Sequence, residues 1–332
     1  MNAPAPRPVV APNRELRGSV NRPPSVTGGP AAEVLRRLEL TVLRRLDGML
    51  QGDYRGLVPG HGTELGEARE YQPGDDVRRM DWNVTARVQV PHVRESIADR
   101  ELETWALVDV SASLDFGTAG CEKRDLALAA VAATGFLTSR TGNRMGAVIL
   151  EGERTATVPA RTGRRHLLAL LHRVLLAAQH EHTGAGDLET GLRRLGSTMT
   201  RRGLAVVVSD FLAGGAWERP LRAISARHET LAVEIVDPRE LELPDVGVLD
   251  LVDPETGERL EVQTADAGLR ARYARAAADQ RADIAARLRS AGADHLVLRT
   301  DRDWLLDLVR FVSARRERID ARSRVLAAGS AR

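Results

Sequence analysis

Two apolar runs in this chain end on oxygen. Residues 104–108 are followed by Asp109, with Ser111 and Ser113 at alternate positions beyond it, and residues 204–208 are followed by Ser209 and Asp210. A strand bound for a core gains nothing from such an ending, whereas a cation does. Carboxylates a few ångströms apart raise each other's pKa, and a hard divalent ion relieves that repulsion. Mg²⁺ takes oxygen ligands in octahedral geometry and keeps several waters. Alternate residues of an extended segment point the same way, so positions 109, 111 and 113 can turn their oxygens to one side of a curled loop. The expected chemistry is a weakly held Mg²⁺ or Mn²⁺, with Asp109, Ser111 and Ser113 as ligands and Asp210 acting through water. In an open parallel sheet such a site belongs beyond the carboxyl ends of the strands, where strand order reverses.

Other chemistries fit these residues less well. A phosphatase of the haloacid dehalogenase kind needs a second aspartate where Ser111 stands. Neither Ser111 nor Ser209 lies in the Gly-x-Ser-x-Gly elbow of a serine hydrolase. Lys123 lacks the glycine spacing of a Walker A loop, and no Gly-x-Gly-x-x-Gly follows a strand. A metal-dependent hydrolase on the same cradle is the alternative reading, and it requires a general base. No histidine is adjacent in sequence to Asp109 or Asp210, which leaves Asp115 and Asp187 as candidates. His180 and His182 stand two apart and offer fewer ligands than tetrahedral zinc requires. A non-enzymatic interaction module therefore leads. Trp82, Trp105, Trp217 and Trp304 read as packing residues, and Cys121 as a small buried residue before a helix.

The elements that must position the cradle alternate between strand and helix from residue 103 onward. Apolar strands are read at 104–108, in "RMGAVILEG", "GLAVVVSDF" and "TLAVEIV", and in "DHLVLR". Helices are read between them, in "KRDLALAAVAATGFLTSR", at 163–179, in "DLETGLRRLG", near 217–228, through 268–290 and from Asp303. "RTATVPA" reads as an antiparallel edge strand and 246–263 as a hairpin excursion. This pattern predicts an α/β fold, a doubly wound and mostly parallel sheet covered by helices on both faces. Upstream, Leu35, Leu38, Val42, Leu46 and Leu50 share a helical stripe that predicts a helix packed on the main domain, ended by Gly52.

Composition narrows the partners. With 48 basic and 46 acidic residues, the net charge of +2 gives no electrostatic footprint for nucleic acid. All the basic residues but Lys123 are arginine, which reads as codon bias. One cysteine excludes an intramolecular disulfide and suits a reducing compartment. No run reaches the roughly 20 apolar residues of a membrane helix. The stretch 1–29 is rich in Pro and Arg, lacks a signal-peptide core and is expected to be disordered. The expected address is the cytoplasm.

The stretch "REYQPGDDVRRMDWNVTAR" (69–87), followed by "HVRE" and "LVDVSASLDFG", closely resembles the bacterial family called domain of unknown function 58. Asp109-Val110-Ser111-Ala112-Ser113 resembles the metal-ion-dependent adhesion motif of von Willebrand factor type A domains. The resemblance covers roughly residues 50–240 and implies a type A-like domain, which the strand and helix pattern extends over 103–312, preceded by a helix and signature segment over 30–102 and followed by a helix end or tail over 313–332. It implies binding to other proteins through the metal site, as an adaptor or chaperone-like component acting with a MoxR-type AAA+ ATPase. Asp109, Ser111, Ser113 and Asp210 match the motif, but Gly186 stands where a threonine is expected, and Thr183 or Thr190 would replace it only if the loop shifted. Tyr71, Gly74, Asp75, Asp76, Arg78, Asp81, Trp82 and Arg87 carry the family signature without an assigned role.

Overall fold

The structure is a computed structural model that describes residues 22–50, 68–72, 77, 80–94, 103–139, 142–152, 154–180, 186–252 and 258–330. Helix α1 (Ala31–Leu50) leads to a small signature unit, in which β1 (Ala68–Glu70) pairs antiparallel with β2 (His92–Arg94) around α2 (Trp82–Val88). The main unit then runs β3 (Glu103–Asp109), α3 (Lys123–Ser139), β4 (Arg144–Glu151), β5 (Arg154–Arg161), α4 (Arg164–Gln179), α5 (Leu188–Thr198), β6 (Gly203–Ser209), α6 (Glu218–Ser225) and β7 (Glu229–Val236). A hairpin of β8 (Val248–Val252) and β9 (Arg259–Gln263) precedes α7 (Ala267–Ser290), β10 (Asp294–Arg299) and α8 (Trp304–Ser330).

Six strands form one sheet in the order β10-β7-β6-β3-β4-β5, parallel throughout except for β5. This is the doubly wound sheet expected from the sequence, with β5 as its antiparallel edge and an irregular register opposite 145–147. Strand β3 is central and buried along its whole length, which explains why it reads as a nearly unbroken apolar run. Its side chains alternate between two cores. Ala106 and Val108 join α1, α3, α4 and α8 on one face, whereas Trp105 and Leu107 join α5, α6 and α7 on the other.

Leu35, Leu38 and Val42 of α1 are buried in the first core, as the stripe predicts; the side chains of Leu46 and Leu50, and Gly52, lie outside the described residues. The buried Glu39 holds α1 to α4 through two hydrogen bonds of 2.7 Å from Arg164. The expected disorder of 1–29 does not extend over its whole length. Val26 is fully buried, its N–H donates to Asp125 Oδ1 at 2.6 Å, and its carbonyl accepts from Gln179 at 2.7 Å. An apolar side chain and both backbone groups are thus satisfied in a stretch whose composition alone suggested otherwise.

Asp81 N-caps α2, accepting from the Asn83 and Val84 amides at 3.1 and 3.2 Å. Trp82 is 70% exposed, so it is not a packing residue, whereas Trp105, Trp217 and Trp304 are buried. The reason is positional: as the first residue of a short helix with no buried positions, Trp82 faces solvent. Tyr71 donates its N–H to the Pro91 carbonyl at 2.8 Å, and Arg87 is exposed in the last turn of α2. Gly74, Asp75, Asp76 and Arg78 lie outside the described residues. Among the described residues, no helix is long and apolar enough to cross a membrane.

Candidate functional site

Strands β3 and β6 are parallel neighbours with Val108 opposite Val208, so Asp109 and Asp210 emerge side by side at the carboxyl edge of the sheet. The chain curls beyond Asp109 because its carboxylate captures the next turn: Oδ1 accepts from the Ser111 N–H at 2.9 Å. Oδ2 accepts from the Ser209 hydroxyl at 2.8 Å. The Ser111 and Ser113 hydroxyl oxygens are 3.2 Å apart, and the Ser113 hydroxyl bonds to Asp210. All four residues expected at the cradle are therefore brought together. Asp109, Ser111 and Asp210 are buried, and Ser113 is half-buried.

The sequence reading missed the cation that the fold itself supplies. Lys123, the first residue of α3, is only 1% exposed, and its Nζ lies 2.8 Å from Asp210 Oδ2 and 2.5 Å from Glu240 Oε1. Glu240 closes a 3-10 turn, Pro238–Glu240, in a capping box with Asp237. From α7, Arg281 reaches Glu234 at 2.7 Å, Glu240 at 3.1 Å and the Asp210 carbonyl at 3.3 Å. His295 Nε2 lies 2.7 Å from the other Glu234 oxygen. Buried charges persist only when paired and hydrogen-bonded, and this network meets that condition. One signal for Lys123 was present in the sequence: it is the single lysine in a chain that otherwise uses arginine.

The network divides the two aspartates. Burial, reinforced by the neighbouring Asp210 charge, pushes the Asp109 carboxyl up. Burial acts on Asp210 in the same direction, but the Lys123 charge and hydrogen bond outweigh it and hold Asp210 below the usual carboxylate range. Desolvation opposes the Lys123 charge, yet Asp210 and Glu240 push its pKa up. Asp210 is thus the settled anion of the pair, whereas at Asp109 the neutral carboxyl is favoured more than in an ordinary aspartate.

Gly186 closes the cradle from the loop before α5. A Cβ built there would lie 3.0 Å from Ser111 Cβ, 3.1 Å from Asp109 Oδ1 and 3.2 Å from Ser111 Oγ. The glycine therefore lets the backbone approach where a threonine side chain would crowd the same oxygens. Thr190 does not replace it, because its hydroxyl donates to Asp187 at 2.5 Å in the first turn of α5, and Thr183 lies outside the described residues. Among the described residues, no three His, Cys, Asp or Glu side chains gather as a metal cluster; apart from the two aspartates, the oxygens that could face an ion here are hydroxyls. Asp109, Ser111 and Ser113 remain a set of hard oxygen donors suited to Mg²⁺ or Mn²⁺. Lys123 already satisfies part of the negative charge such an ion would need.

The two candidate bases are engaged elsewhere. Asp187 caps α5, and its hydrogen bonds from Thr190 hold its carboxyl low. Asp115 pairs with Arg124 at 2.9 Å.

A sequence profile for the family described as protein of unknown function DUF58 matches residues 67–283. Uncharacterized proteins of Mycobacterium bovis and Mycobacterium tuberculosis are each 56% identical over 308 residues, covering 93% of this chain and 95% of the relative. Among solved structures, the conserved hypothetical protein BatB from Bacteroides thetaiotaomicron has a TM-score of 0.41 at 12% identity, over 65% of this chain and 99% of its own. The SpRpn10 VWA domain has a TM-score of 0.37 at 12% identity, over 63% of this chain and 93% of its own.

Proposed function

This chain belongs to the DUF58 family, and from that premise we propose that it is a non-enzymatic interaction module that engages another protein through the carboxyl edge of its sheet. The observation that carries this reading is the cradle itself: acidic and hydroxyl oxygens converge there, and among the described residues both candidate bases, Asp115 and Asp187, are engaged elsewhere. Such a site is poorly equipped to activate water. It is well equipped to hold an ion or a partner's polar group.

Asp109, Ser111 and Ser113 would hold Mg²⁺ or Mn²⁺, with Asp210 acting through water. A bound ion would supply an open coordination position for an acidic side chain of the partner. Binding is weak in this reading, because Gly186 gives no side-chain oxygen and Lys123 already neutralises Asp210. The partner in this reading is a MoxR-type AAA+ ATPase, from the family resemblance, and the setting is the cytoplasm, from the single cysteine and the lack of a membrane-length apolar run. The chain then acts as an adaptor or chaperone-like component of that ATPase.

The test is co-purification with the cognate ATPase in Mg²⁺, in EDTA, and with Asp109→Ala or Asp109→Asn. Association is expected in Mg²⁺ and is expected to fall at least about tenfold in EDTA and in both variants, a difference of about 1.4 kcal/mol. Association indifferent to all three removes the ion from the contact. Metal-dependent turnover of a phosphoester or a peptide by the purified chain would establish the hydrolase instead.

A further inference from the structure

The opposite edge of the sheet, where the parallel strands begin, carries an open cavity of about 770 Å³. Its walls come from the turns before β6, β7 and β10, from the ends of α6 and α7 and from the middle of α8. Arginine dominates the lining. The wall carboxylates Glu229 and Asp294 are both already engaged by Arg315, at 2.6 and 2.7 Å. Arg202, Arg227 and Arg289 also line the cavity, and among the described residues none of them has an acidic partner within ion-pair distance.

Two polar atoms of residues in the wall are buried and unpartnered. His228 is 6% exposed and Ser225 is half-buried, and neither His228 Nδ1 nor Ser225 Oγ has a hydrogen-bond partner. Buried polar atoms are nearly always satisfied, and the exceptions call for a cause. Burial first, then Arg227 and Arg202, pushes the His228 pKa down.

One alternative role for the arginines is to offset the carboxyl ends of α6 and α7, which terminate here. Each helix end carries roughly half a negative charge. Together the two ends account for about one guanidinium, and three lack acidic partners. The excess positive charge and the concave shape describe an oxyanion receptor. Guanidinium groups bind phosphate through paired N–H donors. The volume lies within the roughly 300–1,000 Å³ of small-molecule sites and well above what one phosphate fills.

We propose that this cavity binds a soluble, metabolite-sized molecule bearing one or more phosphate groups, held by Arg202, Arg227 and Arg289. The probe is inorganic pyrophosphate, titrated calorimetrically into the full chain. Arg227 and Arg289 are exposed, so Arg227→Gln with Arg289→Gln should leave the melting temperature unchanged and weaken pyrophosphate binding at least about tenfold, or 1.4 kcal/mol. Arg275→Gln, on α7 but outside the cavity lining, is expected to bind like the wild type. The proposal is overturned if the wild type binds no pyrophosphate at millimolar concentration. It is equally overturned if Arg275→Gln weakens binding as much as the cavity variants, since the effect would then be diffuse charge. Flotation with phosphatidylglycerol vesicles, abolished in the double variant, would move the ligand to a membrane surface and overturn its soluble character.

Discussion

The two edges of the central sheet handle charge in opposite ways. At the carboxyl edge, Asp210, Glu240, Glu234, Lys123 and Arg281 are buried or half-buried and bonded to one another within about 3 Å. At the amino edge, Arg202, Arg227 and Arg289 stand around a cavity without acidic partners among the described residues. A closed network fixes geometry, because each charge loses heavily if its partner goes. An open cluster keeps its charge available for something that arrives. The comparison suggests a rigid contact surface at one end and a receptor at the other.

The largest effect should come from breaking the closed edge. Lys123→Met leaves the buried Asp210 without its cation and Glu240 with Arg281 alone, and is expected to cost about 3–5 kcal/mol in chemical denaturation. Lys123→Met combined with Asp210→Asn should recover part of that loss, because the two substitutions share one interaction. A cost below about 1 kcal/mol for the single variant would mean the network is not closed after all.

Next is Asp125, in the first turn of α3 near the same edge. Burial lifts its carboxyl from 3.8 to about 6, despite hydrogen bonds from the Val26 and Glu122 amides. The folded state therefore holds a proton that the unfolded state releases between these values. Stability from this group is full below pH 3.8 and is lost as pH rises through about 6. The stability of the wild type relative to Asp125→Asn should fall by roughly 3 kcal/mol between those limits. Denaturation curves at pH 4 and pH 7 that differ equally for both proteins would contradict this.

The amino edge should respond less. Arg315→Gln unties Glu229 and leaves Asp294 with Arg318 alone; both carboxylates are about one-third exposed and can hydrate, so about 1–2 kcal/mol is expected. Arg227→Gln, at an exposed and unpaired position, should shift stability by less than about 0.5 kcal/mol. Any larger loss there would blur the contrast between the edges.

The sheet was legible in the sequence because strands buried on both faces leave unbroken apolar runs, and β3 and β6 are such strands. The convergence of Asp109 and Asp210 followed from that, once the two strands were taken as neighbours. The carboxylate at a strand end was not by itself decisive. Strand β7 also ends on an aspartate, Asp237, yet that carboxylate is used up in the capping box and in bonds from Thr118 and Thr300. The role of Lys123 depends on Glu240, 117 residues away, and no local pattern encodes such a pair. The amino-edge cavity was invisible for the same reason, since its arginines come from separate turns and helices in a chain where arginine is everywhere.

Strand β5 limits how a partner can approach. It begins and ends on arginine, and Pro159 sits beside the irregularity in its register with β4. Proline has no N–H to offer a neighbouring strand, and charged, bulged edges resist pairing with another chain. On this flank the sheet cannot readily be extended by β-augmentation, the mode in which an extended peptide adds itself as a further strand. The same device guards against edge-to-edge aggregation. It also favours globular surfaces or small solutes as partners, approaching the two ends of the strands rather than their side.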